Sequence, residues 1–212
     1  MRVYAVADIH GNNERFERIR NNLSKLKADI LVLAGDITNF TKPMTILSRF
    51  NALPVPVLVI RGNSDLTRVD RLFSDASNCI PIHAVCTTIR SIPFVGIGGT
   101  LPVPFRSRIC LNEKSSLKKV EPLVNTHTVL VTHTPPYGHR DLVMGRFHAG
   151  STGLLGLIKR CQPQVMLCGH VHEDSGASKV GNTRVINCAL NKTRSGALLR
   201  FESGNLAGFK MI

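Results

Sequence analysis

Short, wholly apolar runs punctuate the chain, and five of them end abruptly in polar residues. They lie at 2–8 (RVYAVAD), 29–36 (DILVLAGD), 55–62 (VPVLVIRG), 127–133 (HTVLVTH) and 164–170 (QVMLCGH). A strand that is apolar on both faces is covered on both faces, so these runs predict buried strands. Between the first three, 12–27 and 43–53 read as helices. Phe16, Ile19, Leu23 and Leu26 recur there at helical spacing. A βαβαβ order implies a parallel sheet with right-handed crossovers. In open α/β sheets the ligand site lies beyond the carboxyl ends of the strands, and the polar endings fall there.

The middle is less regular. Residues 79–90 and 92–98 read as strands joined by a turn at Ser91-Ile92-Pro93. A Gly/Pro/Arg-rich loop at 99–112 precedes a helix over 113–124. The stretch 134–150 reads as a long loop, followed by a helix from Ser151 to Cys161 with Ser151 as its N-cap. The tail predicts strands at 176–190, 196–202 and 205–212, with turns at Gly181-Asn182 and Ser203-Gly204-Asn205. There is no internal repeat and no low-complexity segment. Two packed sheets with helices outside, forming a single domain over 1–212, are expected.

Composition narrows the class. With 212 residues, 43% of them hydrophobic, the chain can bury a core without disulfides. No run approaches the ~18 apolar residues of a membrane span. The N-terminus runs directly into the first polar ending, so no signal peptide and a cytoplasmic location are expected. The cysteines at 79, 86, 110, 161, 168 and 188 form no C-x-x-C pair and are expected to be reduced and buried. Lys and Arg total 27 against 14 Asp and Glu, a net charge of +13 that attracts phosphate-rich partners. Aromatics are only 5% with no Trp, so stacking platforms for single-stranded nucleic acid are sparse.

The polar endings carry the chemistry. They are Asp8-Ile9-His10, Gly35-Asp36, Gly62-Asn63-Ser64-Asp65, Thr132-His133 and Gly169-His170-Val171-His172. Together they supply Asp8, His10, Asp36, Asn63, His133, His170 and His172 as metal ligands. Carboxylate, imidazole and amide donors suit borderline ions such as Mn²⁺, Fe²⁺, Co²⁺, Ni²⁺ or Zn²⁺. Two such ions about 3.5–4 Å apart can clamp a phosphoryl group and ionise a water between them. The glycines before Asp36, Asn63 and His170 permit tight turns and close backbone approach.

The order D-x-H, G-D, G-N, H, G-H-x-H resembles the calcineurin-like metallophosphoesterase superfamily over nearly the whole chain. Pro135-Pro136-Tyr137-Gly138 and His148-Ala149-Gly150-Ser151 resemble a small single-domain phosphodiesterase subgroup of it. The resemblance implies a four-layer α/β/β/α sandwich. It implies that Asp8, His10, Asp36 and His172 hold one metal and that Asp36, Asn63, His133 and His170 hold the other. Asp36 and a hydroxide would bridge the two ions, the hydroxide attacking phosphorus. Asn12 and Asp65 are the expected partners that orient the imidazoles.

One position departs from the family pattern. Where G-N-H-(D/E) is usual, Ser64 replaces the histidine often assigned to protonating the leaving group. A serine hydroxyl is too weak an acid for that near neutral pH. Phosphodiester hydrolysis is therefore favoured over monoester hydrolysis, with His139 and His148 as replacement acids. Ser64, Arg106, Arg108, Arg140 and Arg146 are candidate substrate contacts. The expected substrate is a phosphodiester or nucleotide-like molecule. A nuclease with the same site is the alternative, and a non-catalytic scaffold a third reading, disfavoured because every ligand is present.

Overall fold

The protein is described by a computed structural model over residues 1–39, 43–99 and 113–212. The first half runs β1 (Arg2–Val6), α1 (Asn13–Leu26), β2 (Ile30–Ala34), α2 (Pro43–Asn51), β3 (Val57–Ile60), α3 (Arg68–Ser74) and β4 (Cys79–Pro81). Then come β5 (Cys86–Ile89), β6 (Ile92–Ile97), α4 (Glu113–Val120), β7 (Val129–Thr132), β8 (Leu142–Val143) and β9 (Phe147–His148). The last part is α5 (Thr152–Cys161), β10 (Val165–Cys168), β11 (Gly176–Val180), β12 (Thr183–Asn187), β13 (Ala197–Glu202) and β14 (Asn205–Met211).

Two six-stranded mixed sheets result. The first has the order β14-β13-β1-β2-β3-β4, the second β11-β12-β10-β7-β6-β5. In the first, β1, β2, β3 and β4 are mutually parallel; in the second, β6, β7, β10 and β12 are. Alternation along each strand explains the unbroken apolar runs. Val3, Ala5, Val32 and Ala34 face a core between the sheets, with Phe94, Val131 and Leu167 opposite. Their neighbours Tyr4, Val6, Leu31 and Leu33 face outward and are covered by Phe16, Ile19 and Leu23 of α1 and Phe50 of α2. Leu130 and Met166 of the second sheet pack on Leu154, Leu157 and Ile158 of α5. The layers are therefore α/β/β/α.

Four local expectations are corrected. Residues 79–90 are two strands in different sheets: β4 pairs with β3, and β5 with β6. Pro81, which has no N–H to donate, ends the first, and Ala84 turns through a left-handed conformation (φ 55°). The β5–β6 turn is Arg90-Ser91, both with positive φ, as a two-residue hairpin requires, so Ile92 and Pro93 already lie in β6. The stretch 134–150 contains the β8–β9 hairpin. The helix expected over 113–124 is α-helical to Val120 and tightens into a 3₁₀ turn at Glu121–Leu123, where Pro122 sits. The 100–112 part of the Gly/Pro/Arg-rich loop, with Arg106, Arg108 and Cys110, lies outside the described residues. Cys79, Cys168 and Cys188 are buried free thiols, whereas Cys86 is exposed and Cys161 half-buried. No helix among the described residues is long and apolar enough to cross a membrane.

The α5 N-terminus follows its sequence: Ser151 Oγ accepts from Leu154 N at 3.0 Å. Ser151→Ala should cost about 1 kcal/mol in urea unfolding. Phe94→Ala, which empties a fully buried position between the sheets, should cost about 3–5 kcal/mol. A smaller loss for Phe94→Ala than for Ser151→Ala would place the main core elsewhere.

Candidate metal centre

The loops leaving β1, β2, β3, β7 and β10 meet at the carboxyl edges of the two sheets. The first two run side by side past their strands. Asp8 N donates to Gly35 O, His10 N to Asp36 O and Gly11 N to Ile37 O at 2.8–3.1 Å. β1 also reaches the second sheet, with Ala7 N donating to Cys188 O. Asp8, His10, Asp36 and His170 all adopt left-handed backbone conformations, with φ of 63°, 52°, 51° and 71°. Such residues cost on the order of 1–3 kcal/mol each and persist where the surroundings over-determine them. Crowding is severe. At Gly35 (φ +89°) a Cβ would sit 2.6 Å from His133 Nδ1, and at Gly62 it would collide with Asp36 N and Oδ1.

Seven donor side chains converge. Asn63 Oδ1 is 3.0 Å from both His133 Nε2 and His170 Nδ1. Asp36 Oδ2 is 3.4 Å from His133 Nε2 and 3.9 Å from His10 Nε2, so it faces both sides of the cluster. Asp8 Oδ1 is 3.1 Å from His172 Nε2, 3.8 Å from His10 Nε2 and 3.9 Å from His133 Nε2. His10 and His172 approach each other at 3.4 Å through their Nε2 atoms. Two ligand groups emerge, Asp8/His10/His172 and Asp8/Asp36/His133. The second is fully buried, whereas the imidazoles of the first are partly exposed.

The donor set fits cations. Asp8 Oδ1 is buried and accepts no hydrogen bond of good geometry. Three imidazole nitrogens surround it instead, an arrangement that a bound cation satisfies. His133 is oriented for ligation, because Nδ1 donates to Ala34 O at 2.9 Å and turns Nε2 to the cluster.

Electrostatics in the protein alone are sharply divided. Burial opposes ionisation of Asp36, but His133 beside it outweighs burial and holds the carboxyl below its usual range. Burial likewise opposes the cation on His133, yet Asp36 and then Asp8 raise its pKa. Burial and the neighbouring His133 push His170 down to about 4, leaving it neutral at physiological pH. Burial also lowers His10, while the contact with Asp8 raises His172. Protons and metal compete for the same nitrogens.

Several expected residues take other positions. Asp65 orients no imidazole. It is fully buried and accepts from Gly62 N, Ile37 N, Thr38 N and Thr38 Oγ1, tying the β2 and β3 loops together. Burial and the Asp36 charge raise its pKa. Asn12 caps α1 by accepting from Arg15 N at 2.9 Å, so it too leaves the imidazoles alone. Ser64 is buried rather than open to substrate: its N and Oγ donate to Asp36 Oδ1 at 2.7 Å and Oδ2 at 2.9 Å. Arg140 pairs with Asp174 at 3.2 Å, and the Arg146 guanidinium lies 5.9 Å from the Phe147 ring centre. His139 N donates to Pro136 O; His148 Nδ1 meets Asp141 Oδ1 at 2.8 Å.

Some supporting residues had no signal in the sequence. Arg15 Nη1 donates to Asp8 O. Asn191 Nδ2 donates to His172 O at 2.8 Å, and Asn187 Nδ2 to Val171 O at 2.9 Å, shaping the G-H-x-H loop from the far side. Asn187 and Asn191 lie 16 and 19 residues from the groups they bond, and only the fold brings them here.

Ser64→Ala removes the hydroxyl bond to Asp36 but keeps the backbone one. Metal affinity should fall about 10-fold with little change in melting temperature, measured by titration calorimetry and thermal unfolding. Asp65→Asn turns an amide NH₂ toward backbone donors and should cost about 2–3 kcal/mol of stability. The reverse pattern, with Ser64→Ala unfolding and Asp65→Asn silent, would contradict these assignments.

Known proteins resemble this chain in sequence and in fold. An uncharacterized protein of Methanocaldococcus jannaschii is 31% identical over 197 residues, covering 88% of this chain and 87% of its own. A dimetal phosphatase from Danio rerio superposes with a TM-score of 0.69 at 12% identity, covering 96% of this chain and 93% of its own. An archaeal phosphodiesterase superposes with a TM-score of 0.60 at 14% identity over the whole of both chains. Residues 1–174 match the family described as calcineurin-like phosphoesterase, which spans all seven converging donors, and the chain belongs to that family.

Proposed function

We propose that this protein is a dinuclear-metal-dependent phosphodiesterase acting on a small or nucleotide-like substrate. The observation that carries the diester preference is the engagement of Ser64. Its hydroxyl is buried and donates to Asp36, so the place of the family's usual histidine offers the leaving group no proton. The β3 loop therefore holds no acid for the leaving oxygen, and poor leaving groups of monoesters depend most on one supplied from another loop.

Asp8, His10 and His172 would hold one ion, and Asn63, His133 and His170 the other, with Asp36 facing both. The chemistry bound divalent ions supply is activation of water and neutralisation of charge on the transferring phosphoryl group. The protein's own contribution is positional. Ser64 fixes the rotation of Asp36, Ala34 O fixes the tautomer of His133, and His170 N donates to Asp8 Oδ2 at 3.0 Å. Manganese suits this mixture of carboxylate, amide and imidazole. That a phosphatase and a phosphodiesterase both share the fold leaves ester class to the residues of this site.

Hydrolysis of bis-p-nitrophenyl phosphate and p-nitrophenyl phosphate, with Mn²⁺ and with chelator, tests the reading. The diester should turn over faster, chelator should abolish turnover, and Asp36→Ala should lose on the order of 100-fold or more. A monoester preference, or full activity in Asp36→Ala, would refute it.

The net charge of +13 favours one second reading, a nuclease using the same centre. Affinity for an oligonucleotide that falls steeply with salt, together with its cleavage, would support that reading; weak, salt-insensitive binding would count against it.

A further inference from the structure

We propose that His148 is the acid that protonates the leaving oxygen, and that Asp141 is the positioning residue that holds it; the inference rests on the phosphoester-hydrolase reading above. Asp141 is fully buried and its carboxylate is committed on both sides. Oδ1 meets His148 Nδ1 at 2.8 Å, while Oδ2 accepts from Gly138 N and Gly150 N at 3.0 Å each. Its backbone closes the same turn, with Ala149 N donating to Asp141 O at 2.9 Å. A carboxylate so restrained fixes the imidazole with Nδ1–H toward it and leaves Nε2 as the ring's other nitrogen. The Tyr137 ring packs on the imidazole at 4.8 Å between centroids. The His148 side chain is 37% exposed.

The hairpin that carries His148 is pinned to two of the ligand loops. On one side, Leu142 N and Arg140 Nη1 donate to Asp174, two residues past His172, at 3.1 and 3.2 Å. Asn187 Nδ2 joins Arg140 O to Val171 O, which lies between His170 and His172. On the other side, Tyr137 N donates to Ser151 O, and Ser151 N to Pro135 O, two residues past His133. These bonds tie the hairpin that carries the dyad to the segments that follow His133 and His172. His139 has no such carboxylate: its backbone is tied to Pro136, and its ring makes no hydrogen bond among the described residues.

A water-derived oxygen forms the new bond to phosphorus while the bond to the leaving oxygen breaks. The electron pair stays on the leaving oxygen, which takes the proton from His148 Nε2. His148 is left neutral with Nδ1–H on Asp141 and regains a proton from solvent.

Two readouts test this. The first is a series of aryl methyl phosphates, from p-nitrophenol to phenol as leaving group, assayed with wild type, His148→Gln and Asp141→Asn. His148→Gln should slow the phenol ester about 100-fold and the p-nitrophenol ester less than about 3-fold, with metal content and melting temperature unchanged. Asp141→Asn should show the same trend, more weakly. The second readout is the His148 tautomer by ¹⁵N NMR of the metal-free protein, expected Nδ1-protonated in wild type and mixed in Asp141→Asn. Equal losses across the series, no loss, a fall in metal content in His148→Gln, or an Nε2-protonated tautomer would overturn the proposal. Inert wild type would instead remove the hydrolase reading, and this inference with it.

Discussion

Two buried carboxylates govern this fold's working end. Asp8 is fully buried and Asp36 is 2% exposed, both where the edges of two sheets meet. Leaving such charges unpaired in a protein interior is costly. The surroundings hold them through many small concessions. Asp36 receives Ser64 N and Oγ, and Asp8 receives His170 N. Four residues of the cluster accept left-handed backbone so that their side chains point inward. Glycines stand where any side chain would strike a ligand. Only the two large hydrophobic layers and the core between them can hold such loops in place, so the extensive packing and the strained site belong to one design.

Much of this was legible along the chain. The βαβαβ order, the buried strands and the convergence of their ends follow from apolar runs ending in polar residues, because strand periodicity is a local property. The switch of sheets between Cys79 and Ile89 was not legible. Nothing in either short piece, Cys-Ile-Pro or Cys-Thr-Thr-Ile, names its partner, and the choice is made by β3 and β6. The β8–β9 hairpin was hidden for a related reason: each strand is two residues long and is secured by Asp141 and Asp174, not by its own alternation.

The site shows the same division. Residue type and spacing pick out the seven donors, since metal chemistry demands those atoms. They do not reveal what the polar neighbours do. Asp65 follows Asn63 by two residues and reads naturally as an imidazole partner. Its position puts it behind the loop, where three backbone N–H groups need an acceptor more than a histidine does. Asn12 is likewise claimed by the helix it precedes. Asn12 is taken by the local backbone and Asp65 by the backbone of its own and the neighbouring loop, and that competition decides their role.

Ser64 brings these strands together. A histidine there would extend past Asp36 toward substrate, whereas serine reaches only the carboxylate beside it. The exchange strengthens the hold on a metal-facing carboxylate and leaves proton donation without a residue on the β3 loop. A hairpin following β7 would supply the function on the proposal above: it is tied to the segments after His133 and His172, and its His148 side chain is partly exposed. Rigid strand ends would then fix the metal chemistry, and the adjustable loop would set which leaving groups can be expelled. Such a separation lets the acid change position without disturbing a single metal ligand.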